Sequence, residues 1–274
     1  MVVFTVCRNE AGVSEMLRAL AAACLLSLSL SSPALGAEDV DLELVFLADS
    51  SGSIDSAETA FQRRGHGDAL QHPDVIGAIR AGLLGRVAVT YVEWGDMDHQ
   101  DVVVPWTIID GAPGAKEFAG RLMAAPRRAF GYNAIGSALA KGRELMLSND
   151  IRGTRMVMDL AGDSANSFGG VPISVARDEA VASGMVINGL PILCRLKECG
   201  GRPVSYDLEQ AFEQTIIGGP GAFVVTAKDQ ESFEMAVRRK LILEIAGMTP
   251  AAPIRYGFGG EAFRQAQNSA SGSQ

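Results

Sequence analysis

Histidine is scarce in this chain: His66, His72 and His99 are the only three in 274 residues. All three precede the block Gly162-Asp163-Ser164, so a serine nucleophile there has no histidine base following it in the chain. A Gly-x-Ser-x-Gly elbow is also missing. Cysteine is nearly as rare. Of four, Cys7 and Cys24 lie in the first 36 residues, which leaves Cys194 and Cys199, too few soft ligands for a structural zinc site. Positive charge is in deficit, with 24 Lys and Arg against 32 Asp and Glu, a net charge of −8 and no basic run, which argues against nucleic acid as a partner. Long apolar runs are lacking too. The longest, Ala19 to Leu30, is too short to span a membrane comfortably.

That run has Arg18 before it and Ser-Ser-Pro-Ala-Leu-Gly-Ala after it, the pattern of a secretory signal peptide over residues 1–36, with cleavage after Gly36 or Ala37. Met16-Leu-Arg18 opens a more typical signal than the fifteen residues before it and is an alternative start. The charges removed cancel, so the mature chain keeps its net −8. It is long enough for one α/β domain with a large core, over residues 37–249. Beyond Pro253 the Gly, Ser, Gln and Asn content rises, and residues 250–274 read as a disordered tail. Cys194 and Cys199 then form the only pair in an exported chain, and a disulfide clipping their loop is expected.

The stretch from Leu42 to Ser53 organises the rest. A Leu/Val/Phe run suited to a buried strand breaks at Asp49-Ser-Ser-Gly-Ser53, and a helical pattern follows from about Asp55. Asp49, Ser51 and Ser53 alternate, so one carboxylate and two hydroxyls share a side, a donor set suited to magnesium. A polar turn that merely caps the helix has the same composition. Strands are expected at 86–94 and 100–109, joined by a turn too short for a crossover helix. The pair is therefore antiparallel, with Pro105 on an edge. Asp96, Asp98, His99 and Asp101 read as the solvated tip of that hairpin rather than a metal site. Helices follow at 115–124 and 134–147, a strand at 154–161 opening into a second polar loop at Asp163, then a helix at 171–183, a strand at 185–190, a helix at 205–214, a strand at 222–226 and a helix at 229–246. This alternation argues for an α/β fold with a doubly wound, mostly parallel sheet and one antiparallel edge strand.

From Val40 to Ala246 the order of elements and loops resembles a von Willebrand factor type A domain. The Asp-x-Ser-x-Ser loop matches at Asp49, Ser51 and Ser53, and the later aspartate matches at Asp163. The family's threonine falls on Asn133 in Asn-Ala-Ile-Gly136, whose carbonyl is also a neutral hard oxygen. Tyr91-Val-Glu-Trp94, Val102-Val-Val-Pro-Trp-Thr107 and Asp159-Leu-Ala-Gly-Asp-Ser164 resemble a bacterial exported family, domain of unknown function 1194. The resemblance implies a single magnesium or manganese ion at the carboxyl edge of the sheet. Asp49, Ser51, Ser53 and Asn133 would hold it directly or through water, Asp163 would act through water, and a partner protein would supply a carboxylate. The alternatives are a structural module whose site binds no metal, or a hydrolase, since Gly162-Asp163-Ser164 is similar to the GDS block of SGNH hydrolases. The phosphatase variant of an enzyme needs a second acid at position 51, where serine stands.

Overall fold

The computed structural model describes residues 1–3, 37–193, 205–228, 230–252 and 254–256. The chain divides into Met1–Ala37 and Glu38–Gln274, and the fold below is that of the second unit. Residues 4–36 of the expected signal segment, the Cys194 and Cys199 pair and the chain past Tyr256 lie outside the described residues.

Strand β2 (Leu42–Asp49) is buried along its whole length, because helices cover both faces of the sheet. Its side chains divide by the two-residue repeat: Leu42, Leu44, Phe46 and Ala48 enter one core, Val45 and Leu47 the other. On either side of it lie β3 (Val87–Trp94) and β6 (Met156–Gly162), both parallel, and β7 (Met185–Pro191) continues the parallel series beyond β6. Strand β4 (Gln100–Ile109) pairs antiparallel with β3 at the edge, so the order is β4-β3-β2-β6-β7, and Pro105 stands on the edge strand as expected.

Helix α1 (Ser56–Gln71) starts at a full capping box. Asp55 accepts from the Ala57 and Glu58 N–H groups, and Glu58 accepts from the Asp55 N–H. Helices α2 (Pro73–Arg80), α3 (Ala112–Ala124) and α7 (Gln230–Ala246) share its face of the sheet, while α4 (Ile135–Leu147) and α5 (Ile173–Ala182) cover the other.

Four departures from the sequence reading have local causes. The expected helix at 205–214 is one α turn, α6 (Leu208–Ala211), followed by a π turn over Phe212–Ile216 that buries both of those residues. Two three-residue strands, β1 (Glu38–Val40) and β5 (Ile151–Gly153), form a small parallel sheet too short to carry a periodic signal. Helix α2 went unassigned although His72 caps it and Pro73 opens it. The tail expected to be disordered from residue 250 instead contributes β9 (Ile254–Tyr256), parallel to β8 (Val225–Ala227), because Arg255 reaches Glu209 and ties that segment down.

Candidate metal centre

Strands β2 and β6 run parallel in register, Leu47 opposite Leu160 and Ala48 opposite Ala161, so their following loops leave the same edge of the sheet. That brings Asp49 and Asp163 together across 114 positions of chain. The Ser51 N–H donates to Asp49 Oδ1 at 2.8 Å, Ser51 Oγ and Ser53 Oγ lie 3.3 Å apart, and Ser53 Oγ donates to Asp163 Oδ1 at 3.3 Å. Four of the five expected residues therefore form one connected set. None of the four caps α1, since Asp55 does so, and the helix-cap explanation of the Asp49-to-Ser53 loop does not hold.

Asn133 comes from the segment before α4 and is 8% exposed. Its Nδ2 donates to the Asn166 main-chain carbonyl at 2.6 Å, and its own main-chain carbonyl accepts from Phe168 N–H at 2.7 Å, so it is fastened to the loop that carries Asp163. Gly52 N–H donates to the Gly131 carbonyl at 2.7 Å, fastening the same segment to the first loop. Three buried side-chain oxygens of these loops have no hydrogen-bond partner among the described residues, and one of them is Ser167 Oγ. The other two are Asp49 Oδ2 and Asn133 Oδ1. A buried oxygen left without a donor is costly, and a bound cation is one way to satisfy it. The donor set present, two carboxylates, two hydroxyls and an amide oxygen, is hard oxygen throughout and fits magnesium or manganese.

The electrostatics agree. Burial, and then the nearby Asp163 charge, push Asp49 up to about 7, and burial also raises Asp163. The Asp163 charge disfavours the ionised form of Asp49, and a divalent cation reverses that preference.

Arg127 is the residue the sequence reading missed. It lies in Pro126-Arg-Arg128, where nothing in the local pattern distinguishes it from a solvated loop arginine. Its Nη2 donates to the carbonyls of Ser50 at 2.7 Å, Ile54 at 2.8 Å and Ser51 at 3.3 Å, and its Nε to Ser50 Oγ at 2.8 Å. The guanidinium thus gathers the main-chain oxygens of the loop and leaves the Asp49, Ser51 and Ser53 side chains to the other loops.

The remaining chemistry-bearing residues are elsewhere. Among the described residues no three His, Cys, Asp or Glu side chains come together as a metal group. Asp96 accepts from the Met97 N–H at the hairpin tip, and the His99 ring packs on Phe130 with centroids 4.2 Å apart. Ser164 Oγ lies 3.3 Å from Tyr206 OH and accepts from Asn166 N–H, while His66 sits in the core against Phe46 and Tyr91.

A mostly parallel sheet with one antiparallel edge strand, carrying this loop set at its carboxyl edge, defines a von Willebrand factor A-like domain. The chain belongs to the family described as Protein of unknown function (DUF1194), which matches residues 39–249. No curated protein sequence matches it. Among solved structures it is similar to proximal thread matrix protein 1 from the mussel byssus, with 16% identity, 76% of this chain and 48% of that one covered, and a TM-score of 0.53. The pilus adhesin SpaC from Lactobacillus rhamnosus GG gives 14% identity, 76% and 31% coverage and a TM-score of 0.52. A von Willebrand factor type A protein from Catenulispora acidiphila gives 16% identity, 76% and 43% coverage and a TM-score of 0.48. At these identities the first two likenesses speak to the fold, and this chain spans less than half the length of each of those proteins.

Proposed function

We propose that the protein is an exported binding module that recognises a partner protein through one magnesium or manganese ion, held by Asp49, Ser51, Ser53 and Asn133, with Asp163 acting through water. The carrying observation is the pair of buried acceptors without donors on two of the proposed ligands, Asp49 Oδ2 and Asn133 Oδ1, in loops that hydrogen bonds tie to one another. When bound, the cation supplies positive charge that a partner carboxylate can complete. The chain's own residues do the rest. Arg127 fixes the loop backbone, Asn133 ties the second and third loops, and Met97, Phe130, Tyr132 and Phe168 on those same loops and the neighbouring hairpin present exposed apolar surface for contact. A pilus adhesin and a byssal matrix protein carry the same fold, which supports an adhesive rather than a catalytic reading.

The test is thermal unfolding of the mature protein with magnesium, manganese or chelator. Metal at about a hundred times its Kd should stabilise the wild type by about 2.7 kcal/mol, and Asp49→Ala should not respond. Equal responses in both proteins place the ion elsewhere. No response in either leaves the structural module without metal as the correct description. Protons compete for the same carboxylate. With Asp49 raised to about 7 against about 4 in an unfolded chain, the metal-free protein loses stability as pH rises through that window, so the magnesium effect should grow from about pH 5 to about pH 8. A metal effect that falls over that range contradicts the assignment.

Position 133 has its own measurement. Asparagine is one bond longer than the family's threonine and offers a carbonyl in place of a hydroxyl. In calorimetric titration Asn133→Thr should tighten magnesium binding by about tenfold or less, roughly 1.4 kcal/mol, and Asn133→Ala should weaken it. Alanine binding as well as asparagine would remove residue 133 from the ligand set. Export rests on the apolar run before residue 37. No helix among the described residues is long and apolar enough to cross a membrane. An envelope-derived protein whose intact mass still includes Ala19 to Leu30 overturns it.

A further inference from the structure

The strongest unexplained feature is a set of charges sealed in the core, away from the metal-site loops. Lys240 on α7 and Asp159 on β6 both have fully buried side chains, with Lys240 Nζ 2.8 Å from Asp159 Oδ1. Glu244, one helical turn on from Lys240, also bonds its ammonium and is itself buried. Asn188 Nδ2 donates to Glu244 Oε1 at 2.8 Å and orients it, while Asn188 Oδ1 is occupied by the Phe223 N–H at 3.0 Å. Neither Asp159 oxygen has a hydrogen-bond partner among the described residues, Oδ1 meeting Lys240 only as an ion pair, and Glu244 Oε2 has none either. The surroundings are apolar and aromatic: the Phe223 ring lies 5.7 Å from Nζ, and Phe46 is the neighbour of Asp159 across the sheet.

As an ion pair this arrangement is poor. Desolvating three charges costs several kcal/mol per ion, and Asp159 gets none of the extra hydrogen bonds that normally accompany a buried carboxylate. As a reaction site it is well made: an amine nitrogen, a carboxyl group and a second carboxyl positioned to carry protons are held together in a dry interior, where proximity replaces a bimolecular encounter.

We propose that Lys240 and Asp159 condense after folding into an intramolecular amide bond that joins α7 to β6, with Glu244 as the proton carrier. Glu244 takes a proton from the Lys240 ammonium, the free amine attacks Asp159 Cγ, and the new C–N bond forms. That proton and one more from the nitrogen, two in all, pass by way of Glu244 to one Asp159 oxygen, the C–O bond breaks, one water is released, and the amide keeps the third hydrogen. Nothing is oxidised or reduced, and Glu244 ends as it began. Ammonium plus carboxylate becomes amide plus water, so two buried charges disappear without any external reactant. That loss of charge is the driving force, since the interior solvates an amide far better than an unhydrated ion pair. Burial raises Glu244 to about 7, which suits a group that must both accept and return a proton.

The test is intact mass of the mature, reduced protein under denaturing conditions. The wild type should fall about 18 Da, one water, below the mass of its sequence, and Lys240→Arg, Asp159→Ala and Glu244→Gln should each show the full sequence mass. Tandem mass spectrometry of a digest should find one branched peptide joining residues 159 and 240. Wild-type protein at its full sequence mass overturns the proposal, and because the mass is read on unfolded wild-type chain, no variant has to fold. A deficit of about 17 Da with Asn188 joined to Lys240 would mean loss of ammonia and would overturn the choice of Asp159.

Discussion

Replacing Glu93 with alanine should lower folding stability by about 3–5 kcal/mol, read as a shift in the urea unfolding midpoint at neutral pH. Glu93 on β3 and Arg63 on α1 meet two-pronged, Nε to Oε1 at 2.6 Å and Nη2 to Oε2 at 2.8 Å, with side chains 1% and 7% exposed. Arg63 also donates to the carbonyls of Ala125 and, at 3.3 Å, Pro126. Removing the carboxylate leaves a guanidinium in the core with only those main-chain partners, and an unpaired buried charge is the expensive outcome. The loss should reach the candidate site as well, because Ala125 and Pro126 are the residues that deliver Arg127 to the Asp49 loop. Glu93→Ala should therefore also reduce the magnesium-dependent rise in melting temperature. The double variant Arg63→Met, Glu93→Leu separates the two effects. It removes both charges at similar volume and should recover most of the stability, since matched apolar residues often replace such a pair at little cost. A single-variant loss below about 1 kcal/mol would show that Arg63 finds other partners.

The sheet order and the site were legible in the sequence to different depths. Strand β2 announced itself because a strand buried on both faces is an unbroken apolar run, and its abrupt end at Asp49 located the loop. The β3–β4 hairpin was set by a connection too short for a helix. What could not be read was anything held by a single long-range contact. Arg127 looks like any loop arginine until the Ser50, Ser51 and Ile54 carbonyls surround it. β9 is three residues in a tail of small polar composition, fixed by Arg255 meeting Glu209. The charges on Lys240 and Glu244 belong to a helix whose amphipathic pattern gives no reason to bury them, and only the packing of α7 against Asp159 shows that they are. Local pattern encodes faces and ends, whereas partner identity across tens of residues of chain is a tertiary property.

Gly136→Ala should abolish the metal response of the candidate site and cost about 1–3 kcal/mol of stability, although alanine is the better helix former. Gly136 is the second residue of α4, and the backbone of the Asp163 loop passes directly over it. A Cβ there would sit 1.9 Å from the Val171 carbonyl oxygen and 2.8 Å from its carbon. The obstacle is main chain, so no side-chain rotation relieves it, and the loop itself must move. That loop is the one fastened to Asn133, through Asn166 and Phe168, and to Ser53 through Asp163. Lifting it breaks the contacts that bring Asn133 and Asp163 to the Asp49 loop, so a methyl group outside the proposed site displaces two of its residues at once. Gly77→Ala is the control. It lies in helix α2 with open space around the added carbon, and should raise stability by about 0.4–1 kcal/mol with the magnesium response intact. Paired melting curves of the two variants, with magnesium and with chelator, decide the matter. If Gly136→Ala melts and responds to metal as the wild type does, the close approach of this loop to α4 does not govern the site.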